Sequence, residues 1–156
     1  MSKESIIRFR EKLNSYIKQV DSSAEVFLIP DPTIGYPFEG MTEPEGIVYI
    51  HFYTQEEMEL EELYPEYVYV VLAHEAGHVE QYRDIHERRR GFIPPPTELD
   101  AWKRGIKWAH KWGVLERYRM EFVIRGALEL ILGAPHFIRE DFERIKLQID
   151  KLLRSR

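Results

Sequence analysis

A long helical pattern opens at Tyr64-Pro65, passes through the apolar stretch Val68 to Ala73 and ends in the basic triplet Arg88-Arg89-Arg90 before Gly91. Proline suits the first turn, where its missing N–H has no intrahelical partner anyway, and the arginines complement the negative end of the helix dipole. The segments around this helix have a different grammar. Residues 3 to 20 place Ile6, Ile7, Phe9, Leu13, Tyr16, Ile17 and Val20 at helical spacing with charges between them, which predicts an amphipathic helix. Ala24 to Ile29 and Ile47 to Tyr53 are short, rich in β-branched and aromatic residues and bounded by Pro and Gly, the signature of strands. Between them Pro30, Pro32, Gly35, Pro37, Gly40, Pro44 and Gly46 predict an irregular connection, either a flap beside a cleft or a plain surface loop.

Beyond the long helix, Pro94-Pro95-Pro96 forces an extended link and Thr97 restarts a helix. Ala101, Gly105 and Ala109 recur on one side of it, which permits close approach of a neighbouring helix, while Trp102 and Trp108 contribute bulk. Further helices are expected from about Val114 to Leu132 and from about Arg139 to Leu153, separated by Gly133-Ala134-Pro135. The expected fold class is α+β, with a small antiparallel or mixed sheet packed on a helical bundle that includes the long helix. The chain has 156 residues, which predicts a single domain over 1–156.

Composition narrows the chemistry. There are no cysteines, so thiolate metal sites, disulfides and cysteine nucleophiles are excluded, and any metal must be held by His, Asp or Glu. A formal net charge of -5 argues against a general nucleic-acid binder, which needs excess Lys and Arg to displace counterions. The first ten residues alternate charged and apolar side chains, unlike a secretory leader, and Arg125 and Glu129 interrupt the longest apolar stretch. The expectation is a cytoplasmic protein with no membrane partner.

The residues that carry chemistry are His74-Glu75-Ala76-Gly77-His78, in the middle of the long helix. Residues four apart on a helix lie one above the other, so both imidazoles can reach one metal ion. Glu75, one residue on from His74, can lie beside the ion without ligating it and act as general base on an acidified water. This is the machinery of zinc-assisted amide hydrolysis.

A zinc site of this kind needs a third protein ligand and an open position. Asp84 stands six residues after His78, where the metzincin pattern places a ligand, but that pattern needs a helix-breaking glycine at the position of Gln81. On an unbroken helix Asp84 faces away from His78 and is expected on the exposed side with Arg83 and Arg88. Glu98, twenty residues after His78, opens the helix that returns after the proline link and shares a face with Trp102, Gly105 and Ala109. It is the stronger candidate. Asp100, three residues after Thr97, reads as the acidic half of a capping box.

With His74-Glu75-Ala76-Gly77-His78 followed by Glu98-Leu99-Asp100-Ala101, the chain resembles the gluzincin metallopeptidases, and within them the soluble minimal gluzincins and the ImmA/IrrE-type peptidases. The resemblance covers about residues 65 to 109. It implies a minimal gluzincin-like fold with Zn2+ held by His74, His78 and Glu98, Glu75 as general base, and a peptide or protein as substrate. The chain departs from the family at Trp102, where an Asp supporting a ligand histidine often stands, so that support must come from elsewhere.

Gluzincins usually lay an extended substrate along an edge strand above the active-site helix, and Ile47 to Tyr53 is the segment expected to play that part. Tyr49, His51, Tyr53, His110 and His136 are candidates to stabilise an oxyanion, although packing suffices to explain each of them. The rival reading is a non-catalytic or latent zinc-stabilised binding module using the same three ligands, and a third is a helical interaction protein with no metal.

Overall fold

The computed structural model describes residues 3–33, 38–52, 65–87, 97–123 and 139–154. Along the chain lie α1 (Lys3–Val20), β1 (Glu25–Pro30), β2 (Phe38–Thr42), β3 (Ile47–Phe52), α2 (Pro65–Glu87), α3 (Glu98–Lys111) and α4 (Arg139–Arg154). The result is a mixed α+β fold with a three-stranded sheet. No helix among the described residues is long and apolar enough to cross a membrane.

The helical spacing read from residues 3 to 20 becomes a buried stripe of Phe9, Leu13, Ile17 and Val20. This stripe joins Val26 of β1, Val48, Ile50 and Phe52 of β3, and Val68, Val71 and Leu72 of α2 in one apolar core. Alternation along β3 sends Val48, Ile50 and Phe52 inward and leaves Tyr49 and His51 on the opposite face. Burying side chains of this size stabilises the fold by about 2 kcal/mol each before the entropy of ordering them is counted.

The strand order is β1-β3-β2, with β1 parallel and β2 antiparallel to β3. Two expectations change here. Ile47 to Phe52 is the central strand, so it cannot serve as the edge above the long helix; β2 occupies that place. The connection expected to be irregular contains β2 at Phe38–Thr42, joined to β3 by a tight hairpin. In that hairpin Gly46 N donates to Glu43 O at 2.9 Å, and Gly46 has φ +85°, a conformation that glycine adopts without steric cost.

The two outer edges of the sheet differ. Asn14 of α1 accepts from Val26 N at 2.8 Å and donates to Val26 O at 3.2 Å, and Arg10 Nε donates to the same carbonyl at 2.9 Å. These bonds occupy the free edge of β1. Among the described residues no strand pairs with the outer edge of β2.

Helices α2 and α3 cross at closest range where each has a glycine. A Cβ on Gly77 would fall 1.9 Å from Ala101 O, and one on Gly105 would fall 2.3 Å from Ala73 O. Only glycine leaves room for these backbones. The close approach expected from Ala101 and Gly105 therefore occurs, with α2 as the partner. Thr97 caps α3, and the helix ends in a Schellman turn: Gly113, at φ +74°, donates to His110 O at 3.0 Å and Val114 N donates to Ala109 O at 3.0 Å. After it, Leu115, Phe122 and Val123 are buried, and Arg119 pairs with Asp150 of α4. The rest of the helix expected to reach Leu132, the Arg88 to Arg90 triplet and the Pro94 to Pro96 link lie outside the described residues.

Candidate metal centre

Helix α2 carries His74 and His78 one turn apart on the side that faces α3, with ring centroids 4.7 Å apart. Glu98, in the first turn of α3 after the Thr97 cap, reaches both. Its Oε2 lies 2.8 Å from His74 Nε2 and its Oε1 lies 3.2 Å from His78 Nε2. One ligand atom from each residue lies within 4.8 Å of the others, close enough for all three to share an ion. His74 is buried, whereas the Glu98 side chain keeps 44% of its surface exposed, so the cluster is closed on the α2 side and open beside Glu98.

Electrostatics follow from that geometry. The bonds from His74 and then His78 hold the Glu98 carboxyl far below the usual carboxylate range against the opposing effect of burial, and the positive end of α3 acts in the same direction. For His78, burial works against the protonated ring, but the bond to Glu98, the nearby Glu75 and Glu98 charges and the bond to Gln81 outweigh it and raise its pKa. Two imidazoles and one carboxylate form a donor set that suits zinc and also other divalent ions.

The two histidines are held by different means. His74 stacks on Trp102 of α3, with centroids 4.4 Å apart and planes at 29°. Trp102 thus supports a histidine by its ring. His78 Nδ1 lies 2.9 Å from Gln81 Oε1, and Gln81 Nε2 donates to Thr97 O at 3.1 Å and to Asp100 Oδ2 at 2.9 Å. The N–H of Asp100 donates to the capping Thr97 Oγ1 at 3.2 Å, but its carboxylate accepts from Gln81 and Arg104 rather than turning back to the cap. The acidic half of a capping box is therefore not formed.

Glu75 is 4% exposed and sits beneath β2. Thr42 Oγ1 donates to its Oε2 at 2.5 Å, and Gly40 passes so near that a Cβ there would lie 2.6 Å from its Oε1. The strand is thus seated on the carboxylate.

The remaining candidates separate cleanly. Asp84, expected to face away from His78 onto the exposed side, instead points to α3 and accepts from Arg104 at 2.6 Å, outside the cluster of His74, His78 and Glu98. Tyr49 and His51 occupy the sheet face opposite Val48 and Ile50, and His51 Nδ1 lies 3.0 Å from Asp31 Oδ2. Twelve residues separate His110 from Glu98 on the same helix, about 18 Å at the helical rise. Tyr53 and His136 lie outside the described residues. Sequence reasoning missed Thr42, Gly40 and the role of Gln81. For Gln81 a signal existed, since it lies three residues after His78 on the same helix and so beside it. Compared with known proteins, the chain matches no family model, no curated protein and no solved structure.

Proposed function

We propose that this protein is a zinc-dependent metallopeptidase of gluzincin type, with His74, His78 and Glu98 as metal ligands and Glu75 as general base. The observation that carries the reading is the convergence of the two histidine Nε2 atoms on the Glu98 carboxylate, from helices that meet by way of Gly77 and Gly105. A divalent ion bound there supplies the positive charge that acidifies a water and stabilises a developing oxyanion. The chain's own residues do the rest. Glu75 takes the proton from the attacking water at its carboxylate and returns it to the leaving amine. The outer edge of β2 offers backbone groups to an extended peptide, which gives affinity with little demand on sequence. In this reading Thr42 and Gly40 keep Glu75 in place under that edge.

Metal content per chain tests the site, using protein purified without a metal-affinity tag. One zinc per wild-type chain, lost or weakened in Glu98→Ala, is the expected result; no zinc in wild type after incubation with the ion would defeat it. Glu75→Gln should keep the metal and lower peptide hydrolysis by about 10²–10⁴-fold, the usual contribution of a positioned base. Normal hydrolysis by that variant would remove Glu75 from the mechanism.

One observation favours a second reading, a latent enzyme or non-catalytic zinc-stabilised binding module. The Glu75 carboxylate is covered by β2 and already engaged by Thr42. In that case zinc raises thermal stability but no peptide is cleaved. The same metal-loaded preparation, tested against an unbiased peptide mixture, separates the two readings.

A further inference from the structure

Gln81 is 4% exposed and lies at the junction of α2 and α3, and its amide has three polar neighbours. Thr97 O at 3.1 Å is a backbone carbonyl and can only accept. Asp100 Oδ2 at 2.9 Å is a carboxylate oxygen that also accepts from Arg104 Nε at 2.8 Å. That guanidinium in turn bonds Asp84 at 2.6 Å and Glu80 at 3.1 Å, so it is anchored by three carboxylates on two helices. Two acceptors on one side of the amide require its NH2 group there. The oxygen is left facing His78 Nδ1 at 2.9 Å, and an amide oxygen only accepts. His78 Nδ1 must therefore carry a hydrogen, so in the neutral ring the lone pair falls on Nε2; Nε2 donates to the Glu98 carboxylate, 3.2 Å away, only when the ring is protonated at both nitrogens.

We propose that Gln81 is a positioning residue that fixes His78 as the Nδ1–H tautomer, with Asp100 and Arg104 fixing the direction of the Gln81 amide. A metal-ligating histidine commonly gives its other N–H to a carboxylate or carbonyl, which sets the ring's orientation and raises its basicity. Here a neutral amide does this work, and the charged groups stand one bond further out. Gln81 thus orients the ring without adding a charge of its own to the Glu75 and Glu98 carboxylates already near His78. The two ligand histidines are then oriented by unlike devices, His74 by the Trp102 ring and His78 by a chain of hydrogen bonds.

The zinc arm of the test rests on the metal-site reading, whereas the tautomer arm does not. Gln81→Met keeps the length of the side chain and removes both polar atoms. In competition with a chromophoric chelator, zinc affinity should fall about 10–100-fold relative to wild type, and a fall of less than about twofold overturns the proposal. Uptake by wild type judges the metal reading separately. The tautomer is read by long-range proton–nitrogen correlation on histidine-labelled, metal-free Glu98→Ala at about pH 9, above the ordinary histidine range, where the Glu98 carboxylate no longer competes for Nε2. The expected form is Nδ1–H at His78, changing to the Nε2–H form favoured by free imidazole when Gln81→Met is added. An Nε2–H ring with Gln81 intact overturns the proposal, whether or not zinc binds and whether or not Gln81→Met folds.

Discussion

Helix α2 is approached closely on two flanks, and the approaches differ in what meets the helix. On the α3 flank backbone meets backbone: Gly77 lies against Ala101 O, and Gly105 against Ala73 O and His74 Cα. On the sheet flank the backbone of β2 at Gly40 meets side-chain ends, Glu75 Oε1 and Cγ and Val71 Cγ1. Backbone of a packed helix has nowhere to go, whereas a carboxylate or a methyl can shift by a few tenths of an ångström. The first flank therefore fixes the separation of His74, His78 and Glu98, and the second adjusts the position of Glu75. In the proposed enzyme these are the demands of metal ligation and of proton transfer, assigned to opposite sides of one helix.

The sharpest way to break that comparison is a methyl on the rigid flank. Gly77→Ala places Cβ on Ala101 O and should cost about 3 kcal/mol, at the upper end for overpacking, because no flexible group can yield. Chemical denaturation measures the loss. Zinc uptake should fall with it, since α3 must move and carries Glu98. A Gly77→Ala protein with unchanged stability and metal content would show that the crossing does not locate the ligand.

The same methyl on the sheet flank should do less to the fold and more to turnover. For Gly40→Ala the contacts at 2.6, 2.7 and 2.8 Å are all to side-chain atoms, so a cost of about 1 kcal/mol is expected. Zinc content should stay at the wild-type level, because none of the three ligands touches β2 through Gly40. Peptide hydrolysis should fall by up to about 10²-fold as Glu75 is displaced from its working position. Equal losses of metal from Gly40→Ala and Gly77→Ala would erase the distinction between the flanks.

The two flanks were not equally legible in the sequence. The rigid one was largely visible: the His74 and His78 spacing, the Glu98 position after Thr97 and the small residues Ala101 and Gly105 are local patterns within single helices. The sheet flank was not. Phe38–Thr42 contains Gly40 and only one β-branched residue, Thr42, so nothing local identifies a strand. It becomes one by pairing with β3, where Gly40 lies opposite Ile50 and Thr42 opposite Val48. The glycine that weakens its strand signal is also what lets it pass over Glu75. Strand order is likewise nonlocal, which is why Ile47 to Phe52 read as an edge although it lies in the middle. Gln81 read as a departure from a known pattern and Trp102 as a departure and as packing bulk, because their partners, Asp100, Thr97 and His74, are chosen by the α2 and α3 crossing and not by spacing along the chain.

The smallest change separates positioning of the base from packing of the strand. Thr42→Val keeps the branched shape that a strand accommodates and removes the hydroxyl that bonds Glu75 at 2.5 Å. The carboxylate is buried and its bond is charge-assisted, so a loss of about 1–2 kcal/mol is expected, visible as a shifted denaturation midpoint with an unchanged slope. Thr42→Ser, which retains the hydroxyl, should recover most of that loss. Neither variant should alter zinc content, since the hydroxyl touches the base and none of the three ligands. If Thr42→Val instead released zinc as Gly77→Ala is expected to, the sheet flank would be holding the ligands through Glu75, and the division of labour across α2 would fail.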